Sequence, residues 1–192
     1  ITEEVVWEAV ERGVELIVSH HPIIFHPARS ITDETSVGRI VLALAERGIA
    51  AICAHTNLDA SVGGVNDALA DALSLTECTV LEPSGPDRAG AVIGIGRAGV
   101  LRTGTGMDAA TYAAQVKKAL GANGVRYVDA GRPVCRVAVG GGACGDMLSL
   151  ACKLGCDTFV TADVKYNIFL DAKAEGVNLI DAGHFPTENV IC

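Results

Sequence analysis

The residues best suited to chemistry in this chain are five histidines, His20, His21, His26, His55 and His184. A neutral imidazole binds divalent metals, and its protonation changes near neutral pH. Two of the five are adjacent, in Ser19-His20-His21-Pro22. The proline biases His21 toward an extended backbone. Neighbouring side chains then point to opposite sides, so the pair can serve two metal ions or straddle one pair. A carboxylate follows four residues after each of the other two sites, as Asp59 after His55 and Glu188 after His184. Imidazole and carboxylate together suit zinc, iron, manganese or a similar divalent ion, and a carboxylate can also bridge two ions. A lone histidine at a strand end is ordinarily a hydrogen-bonded surface or core residue; the three clusters together point to metal. His26, after Ile23-Ile24-Phe25, reads as a structural or supporting residue.

The elements that position these groups follow from hydropathy. Apolar runs of four to six residues alternate with amphipathic stretches. The pattern predicts helices over 3–12 (capped by Thr2, stopped by Gly13), 37–46 and 63–73, with buried strands over 15–19 and 49–54. Pro83, Gly85 and Pro86 mark a loop, and a glycine-interrupted strand follows at 91–96. A helix over 107–120, strands over 125–128 and 134–139, a helix over 146–153, a strand over 158–161, a helix over 165–175 and a strand over 177–180 complete the chain. This alternation means an α/β protein with a largely parallel or mixed sheet. Each histidine cluster falls just past the carboxyl end of a predicted strand, the edge at which open α/β sheets bind ligands. Three segments are expected. Residues 1–80 carry a first metal-site lobe, 81–130 a second lobe, and 131–192 a glycine-rich loop and the return to the metal site. The change of pattern over 81–106 is the boundary. Both ends read as cut, since Ile1 opens directly before a helix and Cys192 closes just after another begins.

Composition narrows the function classes. With 49% hydrophobic residues the chain is not disordered. A net charge of −8 argues against nucleic acid or an anionic membrane as the partner, and no run of 18 apolar residues is present to span a bilayer. Cys53, Cys78, Cys135, Cys144, Cys152, Cys156 and Cys192 contain no C-x-x-C pair, although Cys152 and Cys156 could share a helix face. They read as small hydrophobes in a reducing cytoplasm.

Gly140-Gly141-Gly142-Ala143-Cys144-Gly145 follows a strong strand and opens a helix. Gly140, Gly142 and Gly145 fit the G-x-G-x-x-G pattern, and Asp163, 18 residues after Gly145, stands where a ribose-binding acid would sit. Three readings are open: a tight turn packed against another lobe, a dinucleotide site, or a phosphate site at a helix N-terminus.

Three motifs, taken in order, resemble the Nif-three-like dinuclear metal-centre family, whose members are named GTP cyclohydrolase I type 2 homologues. They are Leu16 to Phe25 with His20-His21-Pro22, then Ala54 to Asp59 with Gly63-Gly64-Val65-Asn66-Asp67, and finally Asp181-Ala182-Gly183-His184-Phe185-Pro186-Thr187-Glu188. The resemblance covers essentially the whole chain. It implies two interlinked α/β lobes, a metal site in the cleft at the strand carboxyl ends, and a homohexameric ring. It maps the metal ligands onto His20, His21, Asp59, His184 and Glu188, with Glu188 as the bridge. His55 matches a family histidine near the site, a ligand or supporting residue and the candidate for catalytic proton transfer. The implied cofactors are two divalent ions per chain, and the implied partner is a small molecule, a nucleotide. The implied function is metal-dependent hydrolysis, in particular opening of the imidazole ring of GTP, with Gly140–Gly145 as a candidate cradle for the triphosphate. The alternatives are a phosphoester hydrolase and a non-catalytic metal-binding regulatory or scaffold protein. Family members often carry a histidine where this chain has Asn167, and longer members carry an inserted middle domain for which this chain has no room.

Overall fold

Where the apolar pattern breaks at Gly13 and Gly48, a helix stops and a strand follows. The computed structural model, which describes residues 1–102 and 106–192, separates into two compact units, Ile1–Leu58 and Asp59–Cys192. In the first, α1 (Glu3–Glu11) begins at Thr2, whose hydroxyl accepts from the Val5 N–H at 3.4 Å. It is followed by β1 (Leu16–Ser19), α2 (Ser36–Arg47) and β2 (Ala50–Cys53). β1 and β2 pair in parallel, from Leu16 opposite Ala50 to Ser19 opposite Cys53. Val6 and Ala9 of α1 bury with Ile40 and Leu44 of α2 and with Ile49, and Ile17 packs on this cluster. The strands are less buried than their apolar runs suggest. Val18 is 65% exposed and Ile52 54%. An apolar run specifies side-chain type but not how many layers cover it, and period 2 sends Val18 to the face opposite Ile17.

A short helix, α3 (Thr56–Ala60), follows, and within the second unit come α4 (Val65–Ala72), β3 (Leu75–Pro86), β4 (Val92–Leu101), α5 (Ala109–Ala119), β5 (Arg126–Val128), β6 (Arg136–Val139), α6 (Leu148–Lys153), β7 (Thr158–Thr161), α7 (Tyr166–Ala174), β8 (Asn178–Asp181) and α8 (His184–Glu188). The fold class is mixed α/β. Six strands form one sheet in the order β3-β4-β6-β7-β8-β5. β6, β7 and β8 are parallel, and the other neighbours are antiparallel. Side-chain alternation splits the core into two layers. Val137, Val139, Val160 and Ile180 face Leu69 of α4 and Tyr112 and Val116 of α5. Ala138, Phe159 and Leu179 face Leu148 and Ala151 of α6 and Ala172 of α7. Both faces of the parallel strands are thus covered, as parallel strands require.

The loop expected at Pro83, Gly85 and Pro86 is instead the second half of β3. β3 lies at the sheet edge, where a proline removes no ladder bond on the open side. Register shifts between Thr76 and Thr79 and between Pro83 and Gly85 absorb the irregular residues. Residues 103–105, inside the stretch 81–106 whose pattern changes, lie outside the described residues. Among the described residues no helix is long and apolar enough to cross a membrane.

One buried cation anchors the approach to the site. Arg97 is 4% exposed and pairs with Asp67. It also donates to the carbonyls of Gly94 and Gly96, both at 2.8 Å, and of Ser61 at 3.3 Å. The other Asp67 oxygen accepts from the Gly63 N–H at 2.6 Å. The turn between α3 and α4 is therefore tied to β4 through this ion pair. Removing one partner of a buried pair strands the other charge, so Asp67→Ala should destabilise the protein by about 3 kcal/mol. Chemical denaturation checks this; an unchanged midpoint would show that Arg97 does not depend on Asp67.

Candidate metal centre

In the first unit the parallel pair delivers its histidines at one edge. β1 ends directly before His20 and His21, and β2 ends two residues before His55. One ring nitrogen from each of these three lies within 4.8 Å of the other two. The ring centroids are 4.9 Å apart for His20 and His21, and 5.3 Å from each of these to His55. His20 Nδ1 lies 2.7 Å from the Ala54 carbonyl. A carbonyl only accepts, so Nδ1 carries the proton and Nε2 the lone pair. A ring whose second nitrogen donates to a carbonyl is the usual arrangement of a metal-binding histidine. Phe25, 66% exposed, stands 6.2 Å from the His55 ring and edge-on to His26. His26 lies outside the cluster of donors.

In the second unit the carboxyl ends of β6, β7 and β8 supply three adjacent turns. β6 runs into Gly140-Gly141-Gly142, β7 into Ala162-Asp163, and β8 into Gly183-His184. One helical turn of α8 places Glu188 four residues after His184, and Glu188 Oε1 lies 3.0 Å from His184 Nε2. That is hydrogen-bond distance, and a small separation brings the pair to the roughly 3.3 Å between two ligands of one tetrahedral ion. His184 Nδ1 lies 2.7 Å from Asp163 Oδ2. Burial pushes the His184 pKa down, but the neighbouring Asp163 and Glu188 carboxylates outweigh it and raise it from the ordinary histidine value. Asp59 is nearly buried, and its backbone carbonyl accepts from the Asn66 side chain at 3.0 Å.

The glycine-rich loop lies directly behind these groups. The N–H groups of Gly140, Gly141, Gly142 and Cys144 donate to the Val160 carbonyl, Asn66 Oδ1, Thr187 Oγ1 and Thr161 Oγ1, at 3.0 to 3.1 Å. A phosphate cradle needs such N–H groups directed at its ligand, and these four are directed at protein acceptors. A Cβ on Gly142 (φ 69°) would stand 2.4 Å from Glu188 Oε1 and 3.2 Å from His184 Nε2. Gly145 opens a short 3-10 turn, Gly145–Met147, ahead of α6. Asp163, offered by its spacing to a ribose, places its carboxylate on His184 instead.

Sequence reasoning passed over two positioning residues, both fully buried. Asn66 links the Asp59 carbonyl to the Gly141 N–H. The Thr187 hydroxyl accepts from Gly142 and donates to the His184 carbonyl at 2.8 Å. Both stand inside the quoted motifs, and a polar residue beside a candidate ligand was the available signal. Among the described residues, the groups able to hold a metal contain no cysteine. Burial pushes the Cys144 thiol up to about 12, which keeps it protonated. Asn167 lies exposed in the first turn of α7.

Close packing behind Glu188 yields a direct test. Gly142→Ala puts a methyl group where the Glu188 carboxylate lies and forces a left-handed backbone on a residue that resists it. Metal uptake by the variant should fall at least tenfold. Wild-type uptake would show that metal binding does not depend on the Glu188 carboxylate keeping its place against Gly142.

A family model described as Duf34/NIF3 (NGG1p interacting factor 3) matches residues 1–192. The "GTP cyclohydrolase 1 type 2 homolog" of Clostridium perfringens is 36% identical over 188 residues, which is 97% of this chain and 70% of that protein. The protein of the same name from Streptomyces coelicolor is 36% identical over 189 residues, 97% of this chain and 66% of its own length. A Bacillus cereus protein related to NIF3 superposes with a TM-score of 0.88 at 26% identity, covering 100% of this chain and 78% of that structure. A Staphylococcus aureus hypothetical protein does so with a TM-score of 0.86 at 31% identity, covering 99% and 73%. The chain belongs to the Duf34/NIF3 (NGG1p interacting factor 3) family.

Proposed function

We propose that this protein holds two divalent ions through His20, His21, Asp59, His184 and Glu188, and uses them to hydrolyse a nucleotide. The observation that carries the reading is the gathering of imidazole and carboxylate donors at strand carboxyl ends: three histidine rings in one unit, and His184 facing Glu188 in the other. Neither unit offers a competing cysteine cluster among the described residues. Two bound ions supply a nucleophilic water at neutral pH and polarise the group it attacks.

The protein's own residues supply the rest. Glu188, backed by Gly142, would offer its carboxylate as the ligand shared by the two ions. His20 would present Nε2, because its Nδ1–H donates to the Ala54 carbonyl. His55, beside both metal-binding histidines, is the group within reach to move a proton. The substrate assignment, GTP opened at its imidazole ring, follows the names of the relatives, and the loop Gly140–Gly145 serves here as packing behind Glu188. Seven free thiols suit a cytoplasmic location. Assembly as a hexameric ring rests on the family resemblance.

The test is elemental analysis of the purified protein, followed by incubation with GTP. Close to two divalent ions per chain, and a metal-dependent product heavier than GTP by one water, are expected. Two ions without turnover of GTP or of phosphoesters would favour the regulatory or scaffold reading. A folded protein that takes up no ion after reconstitution would end the proposal.

A further inference from the structure

We infer that Asp163 is a positioning residue that sets the tautomer and heading of His184. This rests on the metal-binding reading above. Asp163 Oδ2 lies 2.7 Å from His184 Nδ1. Both ring nitrogens face a carboxylate, Nε2 facing Glu188 Oε1 at 3.0 Å; a neutral ring keeps one proton, and the shorter contact with Asp163 assigns it to Nδ1, which leaves Nε2 as the nitrogen presented to a metal. The carboxylate is delivered by a backbone that most residues avoid. Asp163 has φ +51°, in the left-handed region that favours glycine. The turn is pinned on both sides: the Ala162 N–H donates to the Gly142 carbonyl at 3.0 Å, and the Val164 N–H to Asp181 Oδ2 at 3.0 Å. A glycine at this position would suit the backbone better. The Asp163 side chain is 57% exposed, so it adds little packing. Its contribution is the contact with His184.

His20, in the first unit, has a carbonyl–imidazole pairing of the same kind. In each, Nδ1 is occupied by an acceptor from a neighbouring turn. Outer partners of this kind typically change metal affinity by about 10- to 100-fold when removed.

Two variants separate positioning from structure. Asp163→Gly removes the carboxylate and relieves the backbone, so its melting temperature should equal or exceed that of the wild type. Asp163→Asn tolerates the same backbone and keeps one acceptor oxygen. Nitrogen NMR of the metal-free proteins, at a pH where His184 is neutral, should place the wild-type proton on Nδ1. In Asp163→Gly the proton should move to Nε2, and in Asp163→Asn it should stay on Nδ1. Titration with zinc or manganese should show affinity at least tenfold weaker for Asp163→Gly, with Asp163→Asn intermediate. An unchanged His184 tautomer in Asp163→Gly overturns the inference, whatever the affinity. If the wild type binds neither metal, the metal reading fails, while the NMR comparison still decides the role of Asp163.

Discussion

Asp181, 6% exposed at the end of β8, accepts the Val164 N–H at 3.0 Å and the Gly183 N–H at 3.1 Å, and pairs with Arg126. The turns that follow β7 and β8 are thereby fastened to one carboxylate. Asp163 sits in the first turn and His184 opens the helix after the second, so their meeting depends on that fastening. Parallel strands leave their carboxyl ends without a partner beyond the last ladder bond, and buried backbone groups there need acceptors and donors from elsewhere. Asp181 serves the backbone after β7 and β8, and Asn66, Thr161 and Thr187 serve it after β6. At the opposite edge Asp157 accepts from the Cys135 and Arg136 N–H groups, and Asn178 from the Ala130 N–H. Buried polar side chains close both ends of the sheet, and His184 and Glu188 stand on the end closed by the Gly141–Gly142 turn.

The glycines of that turn permit a close approach. Gly141 would bring a Cβ within 3.0 Å of Val65 and 3.2 Å of the Thr187 carbonyl, and Gly142 would meet Glu188 itself. The G-x-G-x-x-G spacing arises here from the need to fit a strand-to-helix turn behind α8. A glycine-rich loop of this form is ambiguous in sequence because the same lack of a Cβ admits either a phosphate or another part of the chain.

The placement of the candidate histidines was legible in the sequence because β1, β2 and β8 are apolar runs with a histidine just beyond each, and the carboxyl edge of a strand is where α/β sheets bind ligands. The first two helices were legible from the cap at Thr2 and from the glycine stops at Gly13 and Gly48. The parts that were not legible share a physical cause: they depend on neighbours distant in sequence. β3 reads as a loop because Pro83 and Pro86 signal a turn unless the strand is known to be an edge. Val18 and Ile52 read as buried because hydropathy carries no count of covering layers. Asn66 and Thr187 look like ordinary polar residues until the glycine turn is placed against them, and Asp163 looks like a ribose acid until β7 and β8 lie side by side.

The central claim is that His20, His21, Asp59, His184 and Glu188 converge on two ions. Anomalous X-ray diffraction from crystals of the metal-loaded protein, recorded at the absorption edge of the bound metal, tests it most directly. The account predicts two anomalous peaks per chain, each within bonding distance of these side chains, with Glu188 touching both. A single peak, or peaks bound by other residues, would contradict it.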